Sequence, residues 1–302
     1  AWNNNIQKLV EGIGVGIPAN NSSDPRHGAN KDAEYNSGSG GSISQWPEEL
    51  GLSATFDPKI TLQFGAIASK EYRALGIATA LSPQIDLATE PRWNRFIGTF
   101  GEDPALATDM ARAYVDGFQT SPQAIGSYNG WGNKSVNAMV KHWPSGGPEE
   151  GGRDAHFAYG KFAVYPGNNF QTHLKTFTEG AFKLTGGTKS ASAVMPYYTI
   201  SYNQDIKNNE NVGNAYSKYL ITDLLRNKYG YDVPIEHGEP RHEVKHAYCD
   251  HTKAKSMLGF RDETNLEELI ESVFVWAMKQ PNRKVKKMEY EVTKDIYDYW
   301  RN

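Results

Sequence analysis

The stretch Tyr231–Cys249, "YDVPIEHGEPRHEVKHAYC", decides how the rest of the chain is read. Its run Val233–Glu236 has the length of a short buried strand and leads into His237 and Gly238. In parallel α/β folds the functional groups gather where strands end, so this strand either completes the body before it or opens a second unit. The composition changes here. Residues 233–302 hold 25 of the 67 Lys, Arg, Asp and Glu residues, but only Gly238 and Gly259 of the 29 glycines. A glycine-rich, loop-rich body gives way to a charged, helical tail, and we set the two domains at 1–232 and 233–302.

The body alternates short apolar runs with amphipathic segments. Strands are expected at Ile13–Ile17, Ile77–Leu81, Val136–Lys141, Ser192–Met195 and Val233–Glu236. Asp57-Pro58 and Asp103-Pro104 each place a capping carboxylate before a proline at the first helical position. Further helices are expected near Phe170–Phe182 and Ala215–Lys228. Alternating β and α segments argue for an α/β fold with a parallel sheet, of (β/α)8 TIM-barrel type. A closed barrel needs about eight strands and fewer are legible, so the barrel is expected to be incomplete or completed by the C-terminal segment.

With 302 residues and 38% hydrophobic side chains, the chain has enough material for a sizeable core. A net charge of −3 gives no reason to expect a nucleic-acid partner. No apolar run has the length of a membrane span, so no membrane partner is expected. "AWNNNIQKLVEG" lacks the basic start and apolar core of a signal peptide. The single cysteine, Cys249, excludes an internal disulfide and leaves the compartment open. His242 and His246 are four residues apart, a metal-ligand spacing only on a helix, and "HEVKHAYC" reads as a strand; no metal and no cofactor is expected.

Four loops after expected strands carry the chemistry. They hold Asp24, Arg26 and His27; Asp86, Glu90, Arg92, Trp93 and Arg95; Lys141, His142, Glu149, Glu150, Arg153, Asp154 and His156; and Met195, Tyr197 and Tyr198. Carboxylates and cations in pairs hydrogen-bond vicinal hydroxyls, and aromatic faces cover a sugar ring. Lys141-His142 at a strand end is costly to bury without a use, whereas Asp103 reads as a helix cap. Trp93 fits core packing as well as it fits a sugar platform.

The pieces "DPRHGA", "WPEELGLSATFDP", "EPRWNRFIGTFGEDP", "VNAMVKHWPSGGPEEGGRDAHF", "ASAVMPYY" and "LITDLLRNKYGYD" occur in that order over residues 14–232. In this the body resembles the N-terminal domain of glycoside hydrolase family 3. The resemblance implies retaining hydrolysis of β-linked glucosides, a small carbohydrate as partner, and a secreted or periplasmic location. It implies sugar-binding roles for Asp24, Arg95, Lys141, His142, Met195 and Tyr198, with Arg153 positional. Asp154-Ala155-His156 is similar to the Asp-x-His acid/base of the N-acetylglucosaminidase branch, which makes His156 a catalytic candidate. In the glucosidase branch the acid/base comes from a later domain, which this chain is expected to lack.

Three departures follow. The chain begins after the family's first strand. Ser145 stands where the family usually has glycine. The nucleophile aspartate expected at position 238, with tryptophan after it, is replaced by Gly238 and Glu239. Glu236 and Glu239 are the nearby carboxylates left as catalytic substitutes. The expected outcome is a sugar site with poor hydrolysis or none, and a non-catalytic sugar-binding scaffold is the alternative. From Val233 on, "PRHEVKHAYCDHTKAKSMLGFRDETNLEELIESVFVWAMKQ" resembles the C-terminal part of a nucleotide-sugar epimerase, so a chimera carrying an epimerase fragment is a third reading. Leu266, Leu269, Ile270, Val273, Phe274 and Ala277 follow helical spacing, with Thr264 or Asn265 as cap.

Overall fold

The computed structural model describes residues 2–12, 18–24, 27–28, 43–121, 130–231, 252–259, 261 and 265–279. The expected strands Ile13–Ile17 and Val233–Glu236 lie outside the described residues. The chain divides into two compact units, Ala1–Asp232 with Glu289–Asn302, and Val233–Met288.

In the first unit, helix α1 (Trp2–Glu11) precedes strand β1 (Ser22–Ser23). The short α2 (Glu49–Ser53) and the long α3 (Pro58–Ala74) lead to β2 (Thr79–Ala80). Helix α4 (Pro104–Gln119) leads to the longest described strand, β3 (Asn137–Trp143). After it come β4 (Phe162–Ala163), α5 (Phe170–His173), β5 (Ala193–Pro196) and β6 (Ile200–Ser201). Strands β1, β2, β3 and β5 form one parallel sheet in that order, while β4 and β6 pair in parallel as a separate two-stranded sheet. Parallel strands separated by helices are the arrangement of a (β/α)8-like barrel, and four of its strands are described.

Both expected caps are present. Asp57 accepts from Lys59 N at 2.9 Å and Asp103 from Leu106 N at 2.7 Å, each followed by proline. Helices α3 and α4 cross at a pair of glycines. A Cβ on Gly65 would lie 2.7 Å from Tyr114 O, and one on Gly117 2.5 Å from Leu62 O. The backbones therefore meet directly, with Tyr114 stacked on Phe118 at 4.8 Å beneath them. Ala80, Val136, Ala138 and Val140 bury the strands against this layer.

The later helices differ from the expected ones. The helix expected over Phe170–Phe182 is one α-turn followed by wide π-type turns at Thr176–Ala181, and Tyr219–Lys228 is also π-type. Bonds span five residues, from Phe182 N to Phe177 O and from Tyr229 N to Leu224 O. Apolar spacing in a short segment does not distinguish these widths, because both keep one face on the core.

The second unit, described from Thr252 to Lys279, holds α6 (Thr252–Leu258) and α7 (Leu266–Met278). Asn265 caps α7, accepting from Glu268 N at 2.8 Å. Ile270, Val273 and Phe274, which follow the expected helical spacing, are exposed.

Candidate functional site

The site is built where β1, β2, β3 and β5 end. Strand β3 carries Lys141 and His142 on consecutive positions, both buried. Lys141 Nζ bonds Asp24 Oδ2 at 2.5 Å, just past the end of β1. Met195 on β5 stands in register with Lys141 and is half-buried. The loop after β2 folds back on β3, with Ile85 N donating to Lys141 O at 2.8 Å, and this delivers Asp86 under His142.

Asp86 is completely buried and holds the imidazole from behind. Its Oδ2 lies 2.9 Å from His142 Nδ1, and its Oδ1 accepts from His142 N at 3.1 Å and from Gly146 N. Burial pulls His142 down to about 4, outweighing the upward pull of Asp86, while Arg95 and Lys141 add to the lowering. Asp86 is held below the usual carboxylate range: burial pushes it up, but His142 and two backbone N–H groups prevail. The pair is therefore a carboxylate bonded to a neutral imidazole whose Nδ1 carries the proton. That leaves Nε2 as an acceptor, and Arg95 Nη1 lies 3.3 Å from it. Arg95 is itself aimed by Gln84 Oε1, at 3.0 Å from Nη2.

The other flank is organised by Asp154, which accepts from Trp93 Nε1 at 2.7 Å, Tyr197 OH at 3.1 Å and His156 N at 2.9 Å. Its Oδ1 also lies 2.6 Å from His156 Nδ1. Burial raises its pKa, yet these donors together hold the carboxyl below its ordinary value. Glu149 is buried nearby with neither carboxyl oxygen bonded among the described residues. Burial, then Asp154 and Asp86, push it well above the usual carboxylate range, against a downward pull from Arg95.

The expected residues thus fall in three groups. Asp24, Lys141, His142 and Arg95 are joined by bonds or by adjacency, and Met195 stands beside Lys141. His156 is partly exposed on the Asp154 flank, with Tyr198 edge-on to it at 5.3 Å and itself 68% exposed; the buried Arg153 lies 3.5 Å from Glu150. Glu236, Gly238 and Glu239 lie outside the described residues, as do His237, His242, His246, Cys249 and His251. Trp93, left open between core and platform, is 1% exposed and serves as a donor to Asp154. Asp86 and Tyr197, whose ring lies 4.5 Å from that of His142, are the site residues whose importance spacing did not reveal. Both were legible only as polar or aromatic residues in loops, since their partners are distant in sequence. Among the described residues no group of three or more His, Cys, Asp or Glu is placed to hold a metal. No described helix is long and apolar enough to cross a membrane.

Chemically, the face presents a carboxylate beside an ammonium, an imidazole acceptor and a guanidinium. Such alternating acceptors and donors suit vicinal hydroxyls. Hydrolysis also needs two groups flanking the scissile bond, and the described carboxylates Asp86 and Asp154 are already committed to several donors each.

A (β/α)8-like barrel with its polar groups collected at the strand ends defines the class of this protein. The chain belongs to a particular family of that class, described as the glycosyl hydrolase family 3 N terminal domain, whose model matches residues 2–239. It is 45% identical over 235 residues to the periplasmic beta-glucosidase/beta-xylosidase of Dickeya chrysanthemi, covering 77% of this chain and 34% of that protein. It is 43% identical over 233 residues to beta-glucosidase C of Emericella nidulans, covering 76% of this chain and 34% of that protein. A solved β-glucosidase from Erythrobacter marinus superposes with a TM-score of 0.57 at 27% identity, covering 74% of this chain and 26% of that one. The beta-glucosidase of Listeria innocua, at 23% identity and a TM-score of 0.56 over 74% of this chain and 26% of that one, shares the fold. The chain spans about a third of the length of the curated relatives it matches.

Proposed function

We propose that the body of this chain is the sugar-binding barrel of a β-glucosidase-type glycoside hydrolase, with Asp24, Arg95, Lys141 and His142 gripping the hydroxyls of a β-linked glucoside. The observation that carries this reading is the consecutive Lys141-His142 pair at the end of β3, one bonded to Asp24 and the other to Asp86. Met195 and Tyr198 flank the ring, and Arg153 holds the loop before Asp154. Lys141→Ala is expected to weaken D-glucose binding about tenfold or more, as loss of a charged hydrogen bond does. An unchanged Kd by NMR titration would sink the sugar site.

Glycine at the position owed a nucleophile favours a second reading, a module that binds sugar and hydrolyses it poorly or not at all. An aryl β-glucoside assay on the purified chain separates the two. Turnover that vanishes in Glu239→Gln, Glu236→Gln or His156→Asn would assign that residue to catalysis and overturn the non-catalytic reading. The epimerase-like, chimeric reading of 233–302 rests on the sequence pattern alone. Heat of binding with a UDP-sugar would support it, and calorimetry without heat removes it.

A further inference from the structure

We propose that His173 is a positioning residue for His142: bonded to Ser145, it sets the turn whose backbone fixes the Asp86 carboxylate. His173 ends α5 and is completely buried, with its ring edge-on to Tyr165 at 5.2 Å. Its Nδ1 lies 2.9 Å from Ser145 Oγ and its Nε2 3.4 Å from Thr89 Oγ1. It thus ties the turn after β3 to the loop after β2, the two segments that enclose Asp86.

The link to the site is short. Ser145 Oγ accepts from Gly147 N at 3.3 Å, so its hydroxyl hydrogen is available to His173 Nδ1. Nε2–H of the imidazole then donates to Thr89, and every polar atom of the trio has a partner. Within the same turn Gly146 N donates to Asp86 Oδ1, and Asp86 Oδ2 holds His142 Nδ1. The turn has no slack to absorb a displacement. A Cβ on Gly147 would lie 1.8 Å from Leu87 O, and one on Gly146 2.9 Å from the Tyr197 ring and 3.0 Å from Asp86 Oδ1. Moving Ser145 therefore moves the donor on Asp86, and with it the imidazole that faces Arg95. Burial holds His173 down to about 4, with Asp86 pulling weakly upward, so it stays a neutral donor and acceptor near pH 7. The serine hydroxyl is what couples the turn to His173; a glycine there would leave the imidazole without this contact.

The inference rests on the proposed sugar site for its use, but its test does not depend on sugar. The full chain, Ser145→Ala, His173→Gln and the double variant are compared by the 15N shifts of the His142 ring at pH 7, which report its tautomer and hydrogen bonds. The expected result is that each single variant displaces the His142 signals and the double variant displaces them no further, because both remove one link. D-glucose Kd should rise about fivefold in each, the value of one neutral hydrogen bond. Unmoved His142 signals in folded Ser145→Ala, or displacements that simply add, would overturn the proposal. Native protein that binds no glucose yet shows the coupled shifts would defeat the sugar reading and leave the positioning role standing. Ser145→Ala removes a single oxygen, so the outcome is readable even if His173→Gln does not fold.

Discussion

His142 and His173 are the two residues on which the chemistry of the interior turns. Both imidazoles are held down to about 4 by burial, against about 6.5 in an unfolded chain. As the pH falls from about 6.5 to 4, the unfolded chain takes up protons that the folded one refuses, so stability falls through this window and is fully present above it. Each depression corresponds to on the order of 3 kcal/mol. Asp86, held below the ordinary carboxylate range, adds its own loss only below the unfolded value near 4. Urea midpoints at pH 7.0, 5.5 and 4.5 should therefore drop steeply for the native chain and less steeply for His173→Gln. Equal slopes would mean that His173 is not neutral in the fold. None of this was visible at the residue level in the sequence. Lys141-His142 stood out because two basic groups at a strand end are costly to bury, but Asp86 and His173 acquire their roles from contacts 56 and 28 residues away.

Among the elements, α3 and α4 were the most legible, since Asp57-Pro58 and Asp103-Pro104 name their starts and both carboxylates cap as expected. Their mutual packing was not legible. Gly65 and Gly117 look like ordinary helix-weakening glycines until their helices cross on them. Gly117→Ala should destabilise the barrel by about 1–3 kcal/mol despite its better helix propensity, because the new methyl meets the Leu62 carbonyl. A melting temperature equal to or above that of the native chain would show that the helices can move apart at no cost. Strands β1, β4 and β6, two residues each, were missed for a related reason. A strand that short has no period to read, and its existence depends on the neighbour it pairs with.

For the molecule as a whole, the composition break at Val233 falls at one edge of the second unit, Val233–Met288, while the family match continues to residue 239. The residues between include the apolar Val233-Pro234-Ile235. If they complete the body, a chain ending at Glu239 should keep the native D-glucose Kd within about twofold, and a chain ending at Asp232 should lose melting temperature. Two truncations of equal stability would place the boundary at the composition break instead. The sequence by itself determined the α/β class, the helix starts and the loops that hold the polar groups, because capping, proline placement and alternation are local effects written in neighbouring residues. Only the tertiary structure decided which of those polar groups lie together. A buried carboxylate, an imidazole's tautomer and a serine's partner are each chosen by groups that folding brings together, and burial sets their protonation states.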